Sequence, residues 1–204
     1  MQNSPPSDAV PDERLRLIVE SYQRLTGKAL VAVDSPRPQA GEGLGEREDV
    51  WSFDVSTPTL TLPDGTTSHS TKPASGQVAG YLQGEGDVAA LRHALWNAPR
   101  AIVAHGTEAD PVFFYGNRLA LQLFEMSFDE FARLPSRLSA EPLAREERAL
   151  LLDRVSRQGY VDGYSGMRIA KSGKRFMIAD GTVWNLADEQ GKHQGQAAVF
   201  VVAP

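Results

Sequence analysis

Apolar residues near the start of the chain recur at the spacing of an α-helix, and they predict one from Pro11 or Asp12 to about Thr26. Gly27 is suited to end this helix, because glycine tolerates the left-handed conformation found at many helix C-termini. The apolar stripe must be buried, either in the core of the same domain, which is the preferred interpretation, or against a dimer partner. Its members are Leu15, Ile18, Val19, Tyr22 and Leu25.

A second helical stripe follows a long polar stretch and predicts a helix that begins at Asp87, as its N-cap, and ends before Asn97 and Pro99. A short apolar run over residues 101–104 then predicts a buried strand that leads into His105. This strand is expected to pair with a strand that comes after the helices.

The stretch from His105 to Phe131 is interpreted as the centre of the domain. Its Asp-Pro pair predicts a turn, and the aromatic and β-branched run over residues 112–115 predicts a second buried strand. Asn117 is placed to cap the helix that follows through its side-chain oxygen. Ser127 and Glu130 have the spacing of a capping box, which predicts another short helix.

The C-terminal half has a helical pattern over residues 145–158, and three strand patterns follow it. The predicted strands are Tyr164 to Ala170, Arg175 to Leu186 and His193 to Val202, with a tight turn over Lys171–Lys174 between the first two. Two strands before the helices and three after them predict an α+β fold: one five-stranded antiparallel sheet with short helices on one face.

Three regions are expected along the chain. Residues 1–33 comprise a polar, Pro-rich tail and the N-terminal helix. Residues 34–86 are rich in Pro, Gly, Ser and Thr and are interpreted as a loop-rich linker or insertion, with a short strand or hairpin over residues 50–62. Residues 87–204 form the main domain.

Composition excludes several classes of chemistry. The chain has no cysteine, so disulfides, thiolate catalysis and Cys-ligated zinc are excluded. A net charge of −5 argues against a nucleic-acid partner, because phosphate binding requires a basic surface. No apolar run reaches the ~20 residues needed to cross a bilayer, and no secretory signal pattern is visible. A cytoplasmic location without membrane contact is therefore expected.

Few residues carry a catalytic or metal-binding pattern. No two of the four histidines have metal-ligand spacing, so a hydrogen-bonded structural role for His105 is preferred over a haem ligand. Asn117 is explained by its role as a helix cap, with a pocket role as the alternative. The Ser172–Lys174 segment lacks the preceding glycine of a phosphate loop, and no nucleophile elbow is present. Arg168 and Arg175 bracket the hairpin turn and are interpreted as solvated strand-edge charges, with an anion contact as the alternative.

The order of elements and the strand-Asn-helix joint resemble a PAS domain, and the amino-acid sequence itself resembles the MEKHLA domain, a PAS-like family. The resemblance covers residues 20–30 and 98–204, and residues 31–86 depart from the pattern. It is carried by SYQRLTGKAL, NAPRAIVAHGTEADPVFFYGNRLALQLFE, FDEFARLPSRLSAEP and YSGMRIAKSGKRFMIADGTVWNLADEQGKHQGQAAVF.

The resemblance implies a PAS-like fold and a sensory or regulatory role, with a small-molecule ligand in the cavity between sheet and helices or a protein partner. Homodimerisation through the N-terminal helix is a further expectation. Alternatives are a ligand-free interaction module and, less favoured, an isomerase- or dehydratase-type enzyme. No cofactor is required; flavin or haem is compatible with such a cavity, but without cysteine no flavin-cysteinyl adduct forms. The expected cavity residues are His105, Phe114, Asn117, Phe124, Phe131, Met167, Ile169, Phe176, Ile178 and Trp184.

Overall fold

The computed structural model describes residues 9–32, 85–140 and 142–203. The predicted N-terminal tail before residue 9 lies outside the described residues. The same holds for the predicted linker or insertion up to residue 84, including its expected strand over residues 50–62.

The described elements form an α+β domain, as the sequence predicts. The helices are α1 (Asp12–Thr26), α2 (Glu85–Trp96), α3 (Arg118–Phe124), α4 (Phe128–Phe131) and α5 (Pro142–Gln158), with a 3-10 turn at Ser136–Ser139. The strands are β1 (Ala101–His105), β2 (Phe113–Gly116), β3 (Tyr160–Ile169), β4 (Arg175–Ala187) and β5 (His193–Val202). They form one five-stranded sheet in the order β2-β1-β5-β4-β3, and every neighbouring pair is antiparallel. The prediction of a five-stranded antiparallel sheet is confirmed.

The helices cover both faces of this sheet. Val183 and Trp184 are consecutive residues of β4, so their side chains point to opposite faces. Val183 clusters with Leu151 and Val155 of α5, whereas the Trp184 ring meets Tyr22 of α1 edge to face at 4.9 Å between centroids. We call the α5 side the inner face and the α1 side the outer face.

The N-terminal helix buries its apolar stripe in the core of its own domain. Leu15, Ile18 and Tyr22 are buried against the sheet, which confirms the preferred interpretation of the stripe. The Ser21 hydroxyl lies 3.2 Å from both the carbonyl oxygen and the amide nitrogen of Ala187 at the end of β4. The helix is therefore fixed to the outer face by apolar burial and by polar contacts with the strand edge.

Three elements begin three or four residues earlier than the sequence predicts. Helix α2 begins at Glu85, so Asp87 lies inside its first turn and is not its N-cap. Helix α5 begins at Pro142 rather than at residue 145, a position that proline suits because the first helical N–H needs no partner. Strand β3 begins at Tyr160, four residues before the predicted start. Its pairing with β4 is irregular on both sides of Tyr164, and such bulges interrupt the alternation of apolar and polar residues that marks a strand.

Candidate functional site

The joint between β2 and α3 is organised by Asn117, whose side chain is fully buried. Its Oδ1 accepts hydrogen bonds from the backbone N–H of Ala120 and of Ile102, each at 3.0 Å. Its Nδ2 donates to the carbonyl oxygen of Arg100 at 2.8 Å. The predicted helix cap is confirmed, and the same side chain also links α3 to the start of β1.

A cavity of about 40 Å³ lies between the inner face of the sheet and helices α3 and α5; we call it the inner cavity. Strands β1, β3, β4 and β5 contribute to its floor and walls. Most of its lining is apolar, because α3 and α5 turn hydrophobic side chains towards the sheet. The apolar lining includes Val103, Phe124, Leu151, Ile178 and Val183.

Five polar residues also border the inner cavity, so hydrogen-bonding groups as well as apolar side chains face this space. They are His105, Ser139, Tyr164, Arg168 and Gln196. The His105 ring is buried, and its Nδ1 lies 2.9 Å from the carbonyl oxygen of Gly106. This contact fits the hydrogen-bonded structural role that the sequence favours for His105.

Arg168 is the cationic group of the cavity wall, and its side chain is only 6% exposed. Its Nη1 donates to the carbonyl oxygen of Met167 at 2.8 Å, and its Nη2 donates to the Tyr164 hydroxyl at 2.9 Å. The guanidinium carbon lies 5.4 Å from the centre of the Tyr164 ring, in a cation–π contact. Among the described residues, Arg168 has no carboxylate partner.

Gln196 connects the cavity wall to the C-terminal half of α5. Its Nε2 lies 3.1 Å from the carbonyl oxygen of Leu152, 3.2 Å from the Ser156 hydroxyl and 3.0 Å from Oδ1 of Asn185. Asn185 in turn donates to the carbonyl oxygen of Val155 at 2.9 Å. These partly buried hydrogen bonds fix the register of α5 on β4 and β5.

Three of the ten cavity residues expected from the sequence border the inner cavity: His105, Phe124 and Ile178. Two more form an aromatic layer directly behind Phe124. The ring centroids of Phe131 and Phe176 lie 5.4 Å and 5.1 Å from that of Phe124. These rings set the shape of the α3 side of the cavity without bordering it.

The remaining expected residues lie elsewhere in the fold. Phe114 faces α1, where the Arg14 guanidinium lies 4.6 Å from its ring centroid, and Trp184 lies against Tyr22 on the outer face. Asn117 is confined to the strand-helix joint. Met167 and Ile169 are half-buried residues of β3 that flank Arg168 and do not border the cavity.

The ten expected cavity residues omit four polar residues of the cavity wall: Ser139, Tyr164, Arg168 and Gln196. Arg168 was interpreted as a solvated charge, which is wrong because the residue is buried; Arg175, across the hairpin, is exposed. The signal that could have found Arg168 is its register opposite Phe176, because residues paired across two strands share one face.

The β3–β4 hairpin is attached to the short helices by exposed polar contacts. Lys171 Nζ contacts the Glu130 carboxylate, and the Ser172 amide donates to Oε2 of Glu125 at 3.2 Å. The Lys171 ammonium and the capping contacts with Ser127 lower the pKa of Glu130 to about 2. The predicted capping box of Ser127 and Glu130 is confirmed.

Tyr115, on the outer face of the sheet, has a phenol whose pKa differs from its ordinary value. Burial raises the pKa of Tyr115 well above its ordinary range, and the positive charge of Arg92 opposes this effect only in part. Tyr115 is therefore neutral at any physiological pH and contributes to the core rather than to acid–base chemistry.

The inner cavity in this packing does not fit a flavin or a haem. Pockets for ligands of that size typically have a volume of ~300 Å³ or more, whereas this cavity has about 40 Å³. Within the described ranges, no group of three or more His, Asp or Glu residues could hold a metal ion. In the same ranges, no helix has the length and apolar character required to cross a membrane.

Comparison with known proteins identifies one family. Residues 80–202 match the family model of the MEKHLA domain. A search of curated protein sequences finds no match.

Among solved structures, a PAS domain from Colwellia psychrerythraea is similar, with 17% sequence identity and a TM-score of 0.48; the match covers 54% of this chain and 92% of that one. A light-oxygen-voltage domain from work on a flavin analogue has the same identity and TM-score, with 56% of this chain and 84% of that one covered. The light-oxygen-voltage domain of the blue-light photoreceptor Aureochrome1 is 16% identical at a TM-score of 0.43, with coverages of 51% and 75%.

Proposed function

The chain belongs to the MEKHLA domain family, and on this premise we propose that it is a PAS-like sensory or regulatory module that binds a small molecule in the inner cavity. The observation that carries the proposal is the mixed lining of that cavity. Apolar side chains from α3, α5 and the sheet surround a few polar groups that converge on one space. Such a lining is typical of ligand sites, where apolar walls provide burial and a few polar groups provide orientation.

The size of the cavity limits the ligand to a small one. A volume of about 40 Å³ has room for about three water-sized groups, at ~10–15 Å³ for each. The proposed ligand therefore has only a few heavy atoms, or it places a small end group in the cavity while the helices adjust.

The proposed signal passes through β4 to the N-terminal helix. Val183 borders the cavity, and its neighbour Trp184 packs against Tyr22 of α1 on the other face of the sheet. A ligand that favours one packing of α5 against Val183 would shift the population of conformers in which β4 holds α1. Association with a protein partner or a second copy would then depend on how firmly α1 is docked.

Self-association through the apolar stripe of α1 would require that helix to leave the sheet. Leu15 and Ile18 are at most 1% exposed, so the docked helix presents neither of them to a partner. The proposed homodimer therefore uses either an undocked α1 or another surface.

The second candidate function is a ligand-free interaction module, and the small volume of the inner cavity favours it. In that case the polar groups of the cavity wall would serve only to fix α5 on the sheet. An enzymatic role has less support, because the described residues that border the cavity include no Asp or Glu that could act as a general acid or base.

The experiment that tests the proposal is native mass spectrometry, with an absorbance spectrum, of the gently purified full chain. A stoichiometric extra mass, removed on denaturation, is the result that the sensor proposal predicts. A clean ligand-free mass, with no thermal stabilisation by a panel of small metabolites, would favour the interaction module instead. The monomer or dimer mass in the same spectrum tests self-association.

A further inference from the structure

We propose that the inner cavity binds a small carboxylate anion and that Arg168 holds its charged end. This inference rests on the proposed function, because it names the chemical class of the ligand for the same cavity. It follows from the charge, the hydrogen-bonding capacity and the shape of the cavity wall.

The charge of the cavity wall is not balanced within the described part of the chain. Arg168 is 6% exposed, and the guanidinium group of an arginine carries a positive charge. Burial of an unpaired charge is unfavourable, so buried cations normally have an anionic partner. The described residues that border the cavity include neither Asp nor Glu, and a bound anion would provide the missing charge.

The guanidinium also retains hydrogen-bonding capacity. It has five N–H donors, of which two are used by the described acceptors, the Met167 carbonyl oxygen and the Tyr164 hydroxyl oxygen. The Tyr164 hydroxyl accepts from Arg168, and its own hydrogen therefore remains available to an anion. The planar fork of an arginine matches the two oxygens of a carboxylate.

The rest of the lining selects a ligand with one charged end and a short apolar end. The apolar residues of the lining include Phe124, Ile178 and Val199, which offer no charge to a second anionic group. One guanidinium balances one negative charge, and the volume allows only a few heavy atoms. Acetate and propionate have this combination of charge, polarity and size, whereas phosphate carries more charge and no apolar end.

Gly166 allows the Tyr164–Arg168 pair to form. A Cβ atom at position 166 would overlap the Tyr164 hydroxyl and lie 3.3 Å from Nη1 of Arg168. The missing side chain thus leaves the space in which the phenol reaches the guanidinium.

The inference is tested by nuclear magnetic resonance titration of the full-length ¹⁵N-labelled chain with sodium acetate, with chloride used to keep the ionic strength constant. We expect saturable shifts of the amides of Val103, Ile178 and Val199, which surround the cavity. Acetamide has the same shape without the charge, and we expect it to bind at least tenfold more weakly. Inorganic phosphate, added in a third titration, distinguishes a carboxylate site from a general oxyanion site.

Two substitutions identify the residue responsible. We expect Arg168→Met to weaken acetate binding at least tenfold. Arg168→Lys keeps the charge but lacks the planar fork of the guanidinium, and we expect it to weaken acetate binding less. The lysine variant replaces the methionine variant in this test if the latter does not fold. Arg175→Met is the matched control, because Arg175 is an exposed arginine of the same hairpin, and we expect it to bind acetate like the wild type.

Several outcomes would overturn the inference. Acetamide binding as tightly as acetate in the same cavity would refute the carboxylate assignment while it leaves the proposed function intact. Tighter binding of phosphate than of acetate, or acetate binding unchanged in Arg168→Met, would also refute it. If no small molecule shifts the cavity amides and none co-purifies, both the inference and the proposed ligand-binding function fail.

Discussion

The side-chain oxygen of Asn117 and the backbone N–H of Ile102 are joined by a hydrogen bond of 3.0 Å, which ties α3 to the second residue of β1. The same oxygen caps α3 at Ala120, and the amide group of Asn117 donates to Arg100. Only asparagine, with an acceptor and a donor on one short planar group, satisfies all three backbone partners. The residue thus acts at the strand-helix joint and not as a wall of the inner cavity.

We expect Asn117→Ala to lower the free energy of unfolding by ~2–4 kcal/mol, more than the ~1 kcal/mol typical of a lost cap. The additional loss arises because the Ile102 amide and the Arg100 carbonyl remain buried without Asn117. Urea denaturation measures the effect. Ser127→Ala, which removes an exposed cap, is the control; equal losses in the two variants would show that Asn117 is only a cap.

Gly166→Ala tests the space that the Tyr164 hydroxyl occupies. The added methyl group would overlap that hydroxyl, and we expect a loss of ~1–3 kcal/mol in the free energy of unfolding, as for other overpacked positions. A Tyr164→Phe background removes the nearest atom, the hydroxyl oxygen, and leaves the ring carbon Cζ at 2.8 Å, so the overlap is reduced and the same substitution should cost less there. A double-mutant cycle by urea denaturation gives the coupling energy, and additive losses would disprove the steric explanation.

The β3–β4 hairpin was predicted from the sequence, but its register was not. The sequence predicts both strands and a turn over residues 171–174. A turn of these four residues would pair Ala170 with Arg175. In the structure Ile169 pairs with Arg175, and the Ala170 amide donates to the carbonyl oxygen of Lys174, so the register differs from the predicted one by one residue. A shift of one residue exchanges the two faces of a strand, and the expected cavity residues Met167 and Ile169 are the neighbours of Arg168, which borders the cavity in the structure.

Features set by local sequence were predicted well, and features set by distant packing were not. The cap at Asn117 and the capping box at Ser127 depend on residues three positions apart, and both are confirmed. The position of Trp184 depends on which face of the sheet α1 covers, a contact between residues more than 150 positions apart. Alternation along β4 separates Val183 from Trp184 but does not show which one meets the cavity.

The docking of α1 on the outer face leads to a prediction about stability. Ile18 is fully buried, and we expect Ile18→Ala to lower the free energy of unfolding by ~2–5 kcal/mol through lost apolar burial and a residual cavity. Leu150→Ala is the control, because Leu150 is 67% exposed and its loss should change stability by less than ~0.5 kcal/mol.

The same measurement separates the two interpretations of the α1 stripe. If the stripe is buried within one chain, the unfolding midpoint of the wild type does not depend on protein concentration. If the stripe is a dimer interface in solution, the midpoint rises with protein concentration, because association stabilises the folded state by mass action. A concentration-dependent midpoint that Ile18→Ala abolishes would contradict the docked arrangement.

The contact between Lys171 and Glu130 predicts how stability changes in acid. The lysine ammonium and the Ser127 cap hold the pKa of Glu130 at about 2 in the folded chain, below the ordinary value of 4.5. A carboxyl whose pKa is lower in the folded state stabilises the fold fully above the unfolded value, and this contribution is lost as the pH falls from about 4.5 through about 2. We expect Lys171→Met to raise the pKa of Glu130 towards 4.5, as measured by titration of its carboxyl carbon by nuclear magnetic resonance.

Lys174→Met is the control for this titration, since Lys174 is an exposed lysine in the same turn and is not among the causes of the Glu130 shift. The stability difference between pH 6 and pH 3 should be smaller in Lys171→Met than in the wild type, and unchanged in Lys174→Met. If both variants leave the titration of Glu130 where it is, the low pKa comes from the Ser127 cap alone. The hairpin would then be attached to α3 and α4 by its backbone contacts, such as the Lys171 amide bonded to the carbonyl oxygen of Phe124 at 2.9 Å, and not by the ion pair.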